Sequence, residues 1–316
     1  MLYEISNRGP FISGPLSMWR IESAGSAIPA GVELPVGPVW YDDEPTPPPS
    51  VERDGQVATI HFHDVARFRI DFAERRITGF DIDPDTEDCV ITHILHDHIA
   101  PRLLAELGDL VLHASTVRFG DGVALFLGET GAGKSTLATH LHQAGHRLLG
   151  DDAVIVTPGP DGYVAQVVYP SLRLFPEAIA HLFDTAAETS PMADYSDKQN
   201  VHLPEVDNAD ETPLPLLATF FLAGDCGATA VAMEPMDSTR ACIKLVEQSF
   251  TLDARNPLCA ARRLAAVSQM AQGVPAYSLT YPHDFARLGE VRAVIETTLD
   301  AHRPDPAARS QESLVQ

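Results

Sequence analysis

The stretch VALFLGETGAGKSTLATHLHQAG, Val123–Gly145, decides the fold. Val123 to Leu127 is a short, wholly apolar run of the kind that forms a buried strand. Leu137, Ala138, Leu141 and Ala144 then recur at helical spacing, and Gly145 closes the helix. Between them, GETGAGKST fits G-x-x-x-x-G-K-[ST], and it does so in the required setting of strand before and helix after. The residue types suit phosphate. Gly131 and Gly133 let successive amides turn inward into a nest for anionic oxygens. A helix beginning near Lys134 adds the positive end of its dipole. Gly128, Glu129, Thr130, Gly131, Ala132, Gly133, Lys134, Ser135 and Thr136 are therefore expected to hold the phosphates of a nucleotide such as ATP. Lys134 would reach the β- and γ-phosphates, and the Ser135 hydroxyl would face Mg²⁺.

Working outward, LVLHAS (110–115) reads as a strand, GDG (120–122) as a tight turn, and HRLLGDD (146–152) as a short strand ending in Asp151 and Asp152. One of these carboxylates can hold Mg²⁺ while its neighbour accepts the proton of an attacking hydroxyl. Adjacent side chains on an extended strand face opposite ways, so both serve one site only if the chain turns there; Gly150 permits such a turn. A solvated strand end is the plainer alternative. His113 falls near the mouth of the loop, as either a core histidine or a group beside the chemistry. AVIVT (153–157), YVAQVVY (163–169), LLATFFLA (216–223) and AYSLTY (276–281) read as further strands, with helices over 259–272 and about 284–299.

Before this core the grammar differs. Residues 1 to about 55 are rich in Pro and Gly with little periodicity, and DDEPTPPPS (42–50) reads as a linker or irregular loop. VATIHF (57–62), RFRIDF (67–72) and RITGFDI (76–82) have the pattern of short antiparallel strands. A helix from Val90 to Leu107 should be kinked or divided at Pro101. His93, His96 and His98 read as polar positions on a partly exposed helix rather than a metal set, because no Cys or Glu completes a tetrahedron. Arg262 and Arg263 read as a solvated helix face, or as holders of an acidic substrate. The expected division is an N-terminal α+β region (1–105), an α/β catalytic domain (106–300) and a flexible tail (301–316).

The whole composition narrows the function. Of 316 residues, 22 are Lys or Arg and 44 are Asp or Glu, a formal charge of −22. Such a surface repels nucleic-acid backbones and anionic membranes. No apolar run approaches the roughly 18 to 20 residues of a membrane span, and MLYEISNRGPFISGP has no signal-peptide pattern. Cys89, Cys226, Cys242 and Cys259 are widely spaced, which argues against zinc or a disulfide framework and for a reducing, cytoplasmic setting.

LVLHAS, GDGVALFLGETGAGKSTLATHL and LLGDDAVIV together resemble the C-terminal domain of HPr kinase/phosphorylase, and more closely the HPr-kinase-like proteins of lasso-peptide clusters. Weaker likeness continues through YPSLRLFPE (169–177), DKQNVHLP (197–204) and VPAYSLTYPHD (274–284). The resemblance implies an α/β phosphate-loop core related to phosphoenolpyruvate carboxykinase. It implies an ATP- and Mg²⁺-dependent serine kinase acting on a peptide or small protein, such as a lasso precursor; the sequence leaves the oligomeric state open, a homo-oligomer being one expectation. By the same likeness Asp151 is the base, Asp152 and Ser135 hold Mg²⁺, His113 lies beside the transferring phosphate, and Arg173 and Lys198 are nearby cations. The family's ELRGLG-like signature has no counterpart in PSLRLFPE, so reverse phosphorolysis and the HPr substrate do not carry over. Two alternatives remain: a small-metabolite kinase of the adenylylsulfate-kinase type, and an ATP-binding regulatory protein without transfer. A transporter ATPase lacks its LSGGQ-like segment, and a GTPase its N-K-x-D.

Overall fold

The computed structural model describes residues 16, 18–23, 34–35, 49–183, 186–193, 196–207, 212–224 and 227–302. The 42–48 part of the proline-rich segment and the 303–316 part of the tail lie outside the described residues. The architecture is mixed α/β, with three sheets among the described residues. The first sheet has strands β1 (Arg20–Ser23), β2 (Leu34–Pro35), β3 (Ser50–Asp54), β4 (Val57–Phe62), β5 (Ala66–Asp71) and β6 (Arg76–Phe80), in the order β1-β6-β5-β4-β3-β2. In β4 and β5 burial alternates residue by residue, the signature of a sheet with one wet face. Two features correct the sequence expectation: β1 pairs with β6 in parallel, and Ser50–Asp54 is a strand that pairs with β4, not the end of a linker. Periodicity over five residues beside so many prolines is too short to read.

The next helix runs as α1 (Asp88–His93), a π-helical turn (Ile94–Ile99) and α2 (Ala100–Leu107). Pro101 sits in the first turn of α2, where its missing N–H is tolerated, and the irregularity falls just before it. Arg262 is exposed, as a solvated helix face would have it, and also donates to the carbonyls of Ala105 and Glu106 at the end of α2.

The largest sheet is built around β9 (Gly122–Leu127), every residue of which is buried. β9 lies antiparallel to β8 (Ser115–Phe119) and parallel to β16 (Leu214–Leu222), and β16 is parallel in turn to β18 (Ala276–Thr280). The LVLHAS segment is not one strand. It breaks at Ala114 between β7 (Leu110–His113) and β8, because β7 pairs with β11 (Ala153–Gly159) while β8 pairs with β10 (Arg147–Gly150). The returning chain makes the same change of partner at Asp151–Asp152, and the Ala114 amide donates to the Asp152 carbonyl at 3.3 Å. Two breaks placed back to back open the sheet at one point. β12 (Gly162–Val167) completes this arm, and α3 (Lys134–Gln143) follows the Gly128–Gly133 loop. A small third sheet is formed by β13 (Arg173–Leu174), β15 (Gln199–Val201) and β14 (Thr189–Pro191), in that order. One core joins the first sheet and α1–α2 to Val111, Ala153, Ile155 and Phe250. No helix among the described residues is long and apolar enough to cross a membrane.

Candidate active site

The Gly128–Gly133 loop is shaped by glycines at positive φ, where a side chain would be strained. Gly133, the N-cap of α3, has φ 88°, and a Cβ there would lie 2.8 Å from the Tyr281 hydroxyl. Gly128 has φ 155°, and its Cβ would meet the Leu222 carbonyl at 2.9 Å. Lys134 folds over the loop, its Nζ donating to the carbonyls of Gly128 (2.8 Å) and Glu129 (3.1 Å). Thr130, Gly131, Gly133, Lys134, Ser135 and Thr136 line a cavity of about 160 Å³. Gly128, Glu129 and Ala132 instead border an adjoining hollow, which shares Thr130 and Gly131 with the cavity and is also lined by Arg240, Lys244 and Ser278.

His113, Asp151, Asp152, Arg173 and Lys198 line the same 160 Å³ cavity, whereas Arg262 and Arg263 border a different hollow. The chain does bend at the two aspartates, as shared use of one site requires. Gly150 serves that bend by close approach rather than by a left-handed backbone: a Cβ there would lie 3.0 Å from the Tyr169 carbonyl. Asp151 is 2% exposed and accepts hydrogen bonds from the hydroxyls of Ser115 and Ser135. Burial, and next the Asp152 carboxylate, push its pKa up to about 6 against the pull of both hydroxyls and Lys134. Ser135 thus contacts Asp151, whereas the sequence expectation paired it with Asp152. Asp152 accepts from Ser171 Oγ at 3.2 Å and faces Arg173 at 3.0 Å. His113 Nε2 stands 4.0 Å from Asp152. Burial, with Lys134 and Lys198 nearby, holds the His113 pKa well below the usual imidazole range, so the ring is neutral at pH 7. Lys198 lies over the Phe175 ring, its Nζ 5.2 Å from the centroid.

A further layer was not legible in the sequence. Arg173 bridges Asp152 to Asp97 (2.8 Å) of the π-helical turn, and its Nε donates to Asn200 at 3.1 Å. Asp97 also pairs with His93 and accepts from the Tyr169 hydroxyl. Burial by itself would raise the Asp97 pKa, but Arg173 and His93 outweigh it and hold the carboxyl well below the usual range. His93 and His98 line the cavity, and His98 is 7% exposed. The reading of His93, His96 and His98 as polar positions on a partly exposed helix is therefore overturned for His98, which is buried; His93 and His96 are half-buried. The reason is the π turn: spacing computed for a regular α-helix places side chains wrongly across i→i+5 geometry. The one legible signal was Asp97 lying four residues after His93. Among the described residues no group of three or more His, Cys, Asp or Glu could hold a metal ion by themselves.

No protein-family model and no curated protein matches the chain. Among solved structures, the chain is similar to the Hpr(Ser) kinase/phosphatase from Coxiella burnetii at 11% identity and a TM-score of 0.31, over 61% of this chain and 99% of that one. A likeness so distant leaves the function to be argued from the site's own residues.

Proposed function

We propose that the chain is an ATP-dependent kinase with an HPr-kinase-like core, passing the γ-phosphoryl group to a serine hydroxyl of a peptide or small protein. The observation that carries this reading is one juxtaposition: Ser135 of the glycine-rich loop hydrogen-bonds Asp151, on a cavity shared with Lys134, Asp152 and Lys198. Phosphoryl transfer demands little covalent help from a protein; it demands positioning and charge neutralisation. The loop amides, the start of α3 and Lys134 supply these for a triphosphate.

The oxygen donors present suit Mg²⁺, which favours hard carboxylate and hydroxyl ligands. Ser135 and Asp152 would hold the ion, with Asp151 beside them; once bound it would neutralise charge on the phosphate oxygens. Asp151 takes the serine proton as the serine oxygen bonds to the γ-phosphorus. The bond from that phosphorus to the β–γ bridging oxygen breaks, and ADP leaves. A buried carboxyl with a pKa near 6 is well matched to this task at neutral pH. Neutral His113 can exchange hydrogen bonds with the transferring group without adding charge. Arg173, tied to both Asp97 and Asp152, orients Asp152.

The test is transfer from γ-labelled ATP with Mg²⁺ to serine peptides, proteins and small alcohols. Label in a serine peptide, lost in both Lys134→Ala and Asp151→Asn, is the expected result. Label in a metabolite alone would favour the small-metabolite kinase. ATP binding with no transfer to any acceptor would favour the regulatory protein.

A further inference from the structure

A second cavity, of about 590 Å³, adjoins the first: His93, Arg173 and Met192 line both. Its size is that of a ligand site. Its walls are α1, the segment 169–173 and strands β14 and β15, and an aromatic plate of His96 stacked on Tyr169 (5.0 Å) stands on one side. The two cavities differ in charge balance. The first sets Lys134, Lys198 and Arg173 against Asp97, Asp151 and Asp152, whereas the second, among the described residues, has the exposed carboxylates of Glu87 and Asp88 at its rim and no lysine. Arg173, its one arginine among the described residues, is already engaged by two aspartates. An anion is repelled from this end and a cation is drawn in.

The link between them is chemical as well as spatial. Ser171 lines the second cavity and donates its hydroxyl to Asp152, which lines the first. A second alcohol that follows the Ser171 side chain arrives beside the aspartate pair. Ser190 and Pro191 of β14, which among the described residues is an edge strand, border the cavity and leave it open on that side.

Resting on the kinase reading above, we infer that the second cavity is the acceptor site and that it takes a peptide whose acceptor serine is flanked by lysine or arginine. The experiment measures two things on the full chain: binding of fluorescent serine peptides by polarisation, and label transfer from γ-labelled ATP to the same peptides. One peptide carries arginines beside the serine and the other carries glutamates. The arginine peptide should bind and be labelled in preference. The double substitution Glu87→Gln with Asp88→Asn should raise its Kd and KM about fivefold, a scale set by two exposed charge contacts, and leave the KM for ATP unchanged. Thr92→Trp, which fills the cavity, should block the peptide but not a fluorescent ATP analogue. Equal use of the two peptides, or an arginine peptide indifferent to all these substitutions while label transfer persists, overturns the acceptor site and leaves the kinase standing. Charge-dependent peptide binding without any label transfer sustains the peptide site and overturns the kinase.

Discussion

At position 151 two requirements oppose each other: the fold buries the side chain to 2% exposure, and the proposed chemistry needs it ionised. With a folded-state pKa of about 6, above the ordinary carboxylate value, Asp151 favours folding most when it is protonated. That contribution is complete at low pH, below the unfolded-state pKa, and is lost as pH rises through about 6. Activity runs the other way, because only the ionised form accepts a proton. Turnover should therefore climb with pH to a midpoint near 6, and Asp151→Asn should abolish the climb together with most of the turnover. The same variant should melt a few degrees above the parent at pH 8, with the gap closing toward pH 4. Calorimetric scans and a pH–rate profile on the two proteins check both halves; a flat profile in the parent contradicts the assignment. Of the residues concerned, Lys134, Ser135 and the aspartates were legible because their chemistry depends on spacing along one loop and one strand end. Asp97 and Tyr169 were not, because their role arises only from packing against Arg173.

The elements that hold these residues follow local rules where local rules suffice. β9, the loop and α3 were readable because a buried strand, a glycine turn and an amphipathic helix each leave a strong pattern. Their dependence on glycine is testable. Gly133→Ala would place a Cβ on a backbone with φ 88° and 2.8 Å from the Tyr281 hydroxyl. It should lower stability by about 1–3 kcal/mol and weaken ATP binding at least tenfold. Adding Tyr281→Phe relieves the contact but not the backbone strain, so the double variant should recover only part of both losses in a titration. Full recovery would show that the φ value is not what matters. The switch of partners at Ala114 and at Asp151–Asp152 escaped sequence reading, since LVLHAS and the strands after it are mostly buried on both faces and carry no mark of which neighbour they pair with. The π turn escaped for a related reason: apolar spacing over Val90–Leu107 fits a regular helix.

Across the whole molecule, the N-terminal sheet is part of the same structure as the site. Phe68, Ile70 and Ile77 of that sheet pack in one cluster with Ile99 and Leu103 of the helix and with Val111, Ala153 and Phe250 near the aspartates. The helix that this sheet supports supplies His93, Asp97 and His98 to the cavity. Composition and strand patterns showed that residues 57–82 form a sheet, but no sequence feature reported what that sheet rests on. The shared core predicts joint unfolding. Phe68→Ala, at a fully buried position, should cost about 3–5 kcal/mol. In urea, with Trp40 replaced by Phe, the fluorescence of Trp19, which packs edge-on against Phe72, should change together with the loss of ATP binding. Transitions at different urea concentrations would mean two independent bodies.

The central claim is that a terminal phosphoryl group held by the glycine-rich loop lies within reach of a serine oxygen activated by Asp151. Its most direct test is a single-turnover rapid quench: enzyme-bound ATP and Mg²⁺ are mixed with an acceptor serine peptide, and phosphoserine is counted over time. The account predicts that the parent forms phosphoserine as ATP is consumed, and that Asp151→Asn does so at least a hundredfold more slowly with ATP affinity within about threefold. Phosphoserine formed equally fast by both proteins, or ATP bound tightly by the parent and never transferred, would contradict it.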